Sequence, residues 1–167
     1  MSASLSPIIT AAGWQAITRA SDADLKIAIQ EIALGSQGSP VTGDETALKN
    51  EQARVAIAET TTLTPQQVQL TALVTGLQEY WIYEIGIYLT DGTLFALWSD
   101  AQTPLAYKAK NVDMVLTLDL MLSALPSEQI TFITTNAITT LSYAKEFAQI
   151  ATICIDTMRR QIELATS

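Results

Sequence analysis

Hydrophobic positions change period along the chain. From Ile8 they recur at helical spacing, through Ala11, Ala12 and Ala16, with Ile9 and Ile17 close by. Ser6 stands at the cap position, and Pro7 stands where a missing amide costs nothing. A helix is predicted here, ended by the Ser-Asp-Ala-Asp cluster at 21–24. The period then falls to two. Leu25, Ile27 and Ile29 alternate with Lys26, Ala28 and Gln30, which predicts a half-buried strand. After a long polar loop, "GSQGSPVTGDETALKNEQA", a second strand is predicted from Val55 to about Thr61. Loops of this length are usually functional or mobile. A third strand is predicted in "TPQQVQLTALVT", where Val68, Leu70, Ala72 and Val74 share a face. In "EYWIYEIGIYLTDGTLFALWSD", Trp81, Tyr83, Ile85, Ile87 and Leu89 alternate with Ile82, Glu84, Gly86 and Tyr88. Asp91-Gly92 is a strong hairpin signal, because a tight two-residue turn needs positive φ at its central positions. A further strand follows from Leu94 to Trp98. "AQTPLAYKAKN" reads as a loop, "VDMVLTLDLML" as a strongly alternating strand and "EQITFITT" as a short last strand.

From Asn136 the spacing becomes helical again. Leu141, Ala144, Ala148, Ala151, Ile155, Met158, Ile162 and Ala165 form an apolar seam at a and d positions. A helix to Leu164 is predicted, roughly 29 residues or about 43 Å long. The fold class predicted is therefore α+β: an N-terminal helix, an antiparallel twisted sheet or small sandwich of about seven strands, and a long C-terminal helix. Residues 1–135 form one predicted domain and 136–167 an oligomerisation element. A seam with so many alanines makes a weak two-helix zipper, so the broad face with Phe147, Ile150 and Cys154 predicts a homotrimer.

The 167 residues suit a single domain of ordinary size. Net charge is −8. Between Arg54 and Lys108 there is no basic residue, while Glu59, Glu79, Glu84, Asp91 and Asp100 fall in that window. Phosphate binding needs positive charge, so neither nucleic acid nor an anionic membrane is a predicted partner. No positively charged segment precedes the first apolar run, so no secretory signal is read. Lys145 and Glu146 interrupt the C-terminal apolar stretch, so no membrane span is read. Cys154 is the one cysteine and predicts a buried apolar side chain.

Candidate chemistry is sparse. Zinc sites are built mostly from Cys and His, and the chain has no histidine. "DGT" at Asp91 and "GDE" at Asp44 read as turns before calcium sites. No phosphate loop is read in the glycine-rich segment, and no cofactor is predicted. Asp113 and Asp119 lie about 20 Å apart along a strand, too far to share a site. Glu84 has two readings: a structural ion pair with Arg54, or a carboxylate for acid–base work in an aromatic groove. The second reading would make the chain a carbohydrate-binding module or a glycan-cleaving enzyme. Six aromatics on two paired strands more often make core contacts.

Several blocks occur in a telling order: "ITAAGWQAI", "TGDETALKNEQARVAI", "WIYEIGIYLTDGTLFA" and the Tyr-Lys pair of "LAYKAKNVDMVLTLDL". Together they resemble the phage tail-collar fibre family over about residues 8–135. Glu51 and Arg54 match one block; Trp81, Glu84, Gly86, Asp91 and Gly92 match another. Family members often carry a basic residue where this chain has Tyr83. The resemblance implies a non-enzymatic virion protein that holds a trimeric fibre to the baseplate of a phage or tailocin tail. It also implies assembly in the bacterial host cytoplasm. Its partners would be a baseplate protein and a further fibre subunit. A shaft and tip usually follow in the family, so a short fibre, an adaptor or a truncated remnant is expected for a chain ending at Ser167.

Overall fold

The computed structural model describes residues 7–121, 130–135 and 149–153. Its elements run β1 (Ile8–Ile9), α1 (Ala11–Asp22), β2 (Ile27–Gly35), β3 (Glu51–Thr64), β4 (Gln67–Val74), β5 (Tyr80–Ile82), β6 (Glu84–Leu89), β7 (Leu94–Ser99), β8 (Ala106–Lys108), β9 (Met114–Met121), β10 (Ile130–Phe132) and β11 (Gln149–Ile153). The main sheet has the order β1-β7-β6-β2-β3-β4-β9-β11, with β10 attached to β2. β5 and β8 form a separate two-stranded ribbon.

The long strand β3 serves two partners. Its first part pairs with β2, from Glu51 opposite Gly35 to Ala56 opposite Glu31. Its second part pairs with β4, from Ile57 opposite Ala72 to Thr64 opposite Gln67. Where β2 and β3 part, β10 enters parallel to β2, with Ile130 opposite Ile27 and Phe132 opposite Ile29. The segment then reaches both sides of the gap. The Ile133 amide donates to Ile29 O at 2.9 Å, and the Thr135 amide to Ile57 O at 3.0 Å. The sheet thereby curls into a half-barrel.

β6 and β7 are buried at every position. One face meets the main core, where Ile85, Ile87, Phe95 and Trp98 join Ile17 and Ala20 of α1. The other face is covered by the loop 36–50, whose Leu48 packs with Ala33, Tyr88, Leu94 and Leu97. Burying a leucine in this way contributes about 1.5–3 kcal/mol. α1 is capped by Thr10, whose Oγ1 accepts from the Gly13 amide at 2.9 Å. It stops at Asp24, which takes a left-handed φ of 53°. The Leu25 amide then returns to Ala20 O at 2.8 Å, in a Schellman-type ending.

The α+β prediction is overturned. The described residues are mostly β, with one short helix, and the long helix predicted from Asn136 to Leu164 conflicts with the strand found at Gln149–Ile153. β11 falls inside the segment predicted as helix and pairs in parallel with β9, Gln149 opposite Met114 through Ile153 opposite Leu118. The β-branched residues Ile150, Thr152 and Ile153 favour an extended chain once a sheet edge is available. The first helix also begins later than predicted, because Ile8 and Ile9 pair with Leu97 and Ala96 as an edge strand. The continuous strand expected across Trp81 to Leu89 breaks at Tyr83. There the backbone bonds both Gly35 O and the Asp100 amide, redirecting β5 away from the main sheet.

Candidate functional site

The glutamate singled out by sequence lies at the start of β6, 1% exposed. Glu84 does not pair with Arg54. Its Oε1 accepts from the Asn50 amide at 2.9 Å and its Oε2 from the Lys49 amide at 3.1 Å. A buried carboxylate needs partners, and here the end of the 36–50 loop supplies them. Gly35, opposite Glu84 on β2, leaves the necessary room. A Cβ at Gly35 would collide with the carboxylate.

The same loop is tied down at three more places. Glu45 accepts from the amides of Thr42 at 2.7 Å and Gly43 at 2.8 Å. Burial raises the Glu45 carboxyl, but these hydrogen bonds outweigh burial and leave it below the usual carboxylate range. Gly43 O accepts from the Ala11 amide at 2.7 Å, joining the loop to the start of α1. The Ser39 amide donates to Ser99 Oγ at 2.9 Å. Sequence reading missed Glu45 as an organiser. The available signal was its position three residues after Thr42, the spacing of a carboxylate that closes a local turn.

Arg54 instead holds Glu51 at 2.7 Å and Glu31 at 3.7 Å. Its guanidinium lies 3.8 Å from the centre of the Tyr88 ring. The bond to Glu51 raises the Arg54 pKa further. Glu51 and Arg54, matched to one block, therefore form an ion pair on β3. Glu84 belongs to a different network.

Asp91 and Gly92 lie in the β6–β7 turn. Gly92 has φ 88°, whereas Asp91 is not in the positive-φ region. The Gly92 amide donates to Leu89 O at 3.0 Å, and the Leu89 amide to Thr93 O at 2.9 Å. This is a longer hairpin loop with glycine in the left-handed position, in place of the expected two-residue turn. The Thr93 side chain, and then the Thr93 amide donating to Asp91 Oδ1 at 2.9 Å, hold the Asp91 carboxyl low.

The β5–β8 ribbon is a separate two-stranded sheet that packs on the main core through Ile82, Tyr80 and Ala106. Trp81 is opposite Tyr107. Their ring centres are 4.6 Å apart at 44°, and Trp81 is 53% exposed. Tyr107 donates its hydroxyl to Glu79 Oε2 at 2.6 Å, which pushes the phenol up. On the alternate positions, Tyr80 is opposite Lys108. Lys108 is 1% exposed, and its ammonium donates to Gly76 O at 3.0 Å and Ala109 O at 2.8 Å. The Tyr-Lys pair was legible as a block, but the strand and the buried ammonium were not.

Among the predicted trimer contacts, Ala151 lies on β11, opposite Leu116. Leu141, Ala144, Ala148, Ile155, Met158 and Ile162 lie outside the described residues, as does Cys154. Asp119, read in the sequence as too far from Asp113 to share a site, is buried and accepts from Gln69 at 3.1 Å. One groove of about 330 Å³ runs between α1 and the 89–93 turn. Another of about 350 Å³ lies beside Gln52, Gly76 and Tyr80. Glu84 lines neither.

No curated protein and no solved structure matches this chain. The family model for phage tail-collar fibre protein, N-terminal, matches residues 1–154. The chain therefore belongs to the phage tail-collar fibre family and is a structural component of a virion tail.

Proposed function

We propose that this chain attaches a trimeric tail fibre at the baseplate of a phage or tailocin tail, or acts there as a short fibre or adaptor. It would be assembled in the host cytoplasm, with a further fibre subunit as a downstream partner. One observation supports this reading over the glycan-cleaving alternative. The carboxylate that alternative requires, Glu84, is covered by the 36–50 loop and receives two backbone amides. It holds the body together and has no open groove in which to exchange a proton with a sugar. A body buried on both faces of β6–β7, with a ribbon packed on the same core that leaves Trp81 exposed, suits a rigid attachment piece.

Immunogold electron microscopy of purified particles tests the location. Label at the baseplate is expected; label on the capsid, or particles without label, would refute it. Sedimentation equilibrium of the purified chain tests the trimer, which no longer rests on a C-terminal helix. The apolar residues Leu141, Ala144, Ala148, Ala151, Ile155, Met158 and Ile162 are the proposed contacts. Ile155→Asp is expected to shift a trimer to monomer, and a wild-type monomer at micromolar concentration would reject the assembly.

A further inference from the structure

Among the described residues, one aromatic–carboxylate constellation is filled and a second is open. In the filled one, Arg54 stacks 3.8 Å from the Tyr88 ring centre while pairing with Glu51 and Glu31. In the open one, Trp81 lies on the β5–β8 ribbon, 53% exposed, packed against Tyr107. Tyr107 fixes the carboxylate of Glu79 at 2.6 Å, on the same side of the ribbon as Trp81. A planar guanidinium fits this combination: it stacks on a ring face and pairs with a carboxylate at its edge. An ammonium meets the charge and the ring face but lacks the planar stack and the fork that grips a carboxylate. We propose that the Trp81–Tyr107–Glu79 ledge docks an arginine side chain of a protein partner in the tail. The identity of that partner rests on the attachment reading above; the arginine chemistry does not.

Charge points the same way. Glu79 is the acidic group on the ledge, and no basic residue lies between Arg54 and Lys108 in the chain. Lys108 occupies the alternate position on β8, and its ammonium is held by Gly76 O and Ala109 O. Arg54 is engaged at Tyr88, and Arg19 lies in the last turn of α1. The chain's remaining arginines, Arg159 and Arg160, follow β11. β11 runs parallel to β9 from Met114 to Leu118, and β9 begins just after the ribbon. Neither Arg19 on α1 nor Arg54 at Tyr88 pairs with Glu79 among the described residues, which favours an external source. Trp, Tyr and Arg are also the residue types most enriched at binding hot spots.

The test uses the full chain labelled with ¹⁵N at tryptophan, which has three indoles, Trp14, Trp81 and Trp98. The probe is N-acetyl-arginine methylamide, with the lysine analogue and cellobiose as comparisons. A saturable shift of the Trp81 indole by the arginine probe is expected, with a weaker response to lysine. Trp14, exposed but without a neighbouring Tyr-Glu pair, is expected to stay still. Glu79→Gln is expected to weaken the arginine response by up to about fivefold, the worth of an exposed ion pair. Trp81→Ala removes the signal's source, and an unchanged Trp98 indole shows that this variant is folded. No shift, equal shifts with lysine, or a response to cellobiose instead would overturn the proposal. So would a Trp81 shift caused by Arg159→Ala/Arg160→Ala without any probe, because it would place the chain's own tail on the ledge. Failure here leaves the baseplate labelling experiment unaffected.

Discussion

The side chain of Glu84 lies directly across the backbone of Gly35, its partner on the neighbouring strand. The contact explains why a glycine ends β2 and why a charge is tolerated in a buried strand. Gly35→Ala is expected to push the carboxylate off the Lys49 and Asn50 amides. Glu84→Ala removes the acceptor outright. Each is expected to destabilise by about 2–4 kcal/mol, since two charge-assisted hydrogen bonds and a loop docking are lost together. Urea denaturation measures this. A loss below about 0.5 kcal/mol, the size of an ordinary surface substitution, would remove the anchor role.

The 36–50 loop is expected to loosen in acid. Glu45 has its folded-state pKa below the ordinary value of about 4.3. Its contribution is therefore fully present above that value and is lost as pH falls through the folded pKa. The local readout is protection of the Ala11 amide, which bonds Gly43 O. Protection should fall as Glu45 protonates. Glu45→Gln should show lowered protection already at neutral pH and a flatter profile. Parallel profiles for both proteins would refute the assignment.

Arg54→Lys is expected to cost stability despite keeping the charge. Lysine loses the planar stack on Tyr88 and the fork that reaches both Glu51 and Glu31. The guanidinium is about one-third exposed, so solvent screening limits the cost to about 0.5–1 kcal/mol. Thermal melts at low and high salt check the claim. If the lysine variant melts with the wild type at both salts, the stack contributes nothing.

At the β6–β7 turn, Gly92→Val places a β-branched residue at φ 88°. A cost of about 1–3 kcal/mol is expected. Gly92→Asn should cost less, because asparagine enters the left-handed region more readily. Equal midpoints for the valine and asparagine variants in urea would show that the turn rearranges instead of straining.

Local pattern determined much of the central sheet. β4 and β9 alternate in sequence and pair in the structure from Gln67 opposite Met121 to Val74 opposite Met114. Their side chains face one core, so the period of two survives folding. The Asp-Gly signal located a turn for a similarly local reason, since left-handed φ is a property of single residues. The ordered blocks also sufficed for the family, because they are carried by residue identity and not by packing.

Only the tertiary structure decided the rest. The sequence established that Glu84 needed a partner, but every residue other than proline carries the same backbone amide, so nothing in residue type pointed to Lys49 and Asn50. The C-terminal seam failed for a different reason. Apolar residues three and four apart are compatible with a helix, yet Gln149–Ile153 found an open edge on β9 and paired there. Likewise, nothing local in "ITF" shows that β10 runs parallel to β2, in the gap where β2 and β3 part. Helix spacing and hairpin turns are written within a few residues of chain. Strand edges, gaps between strands and the backbone donors of a docked loop exist only once distant segments have met.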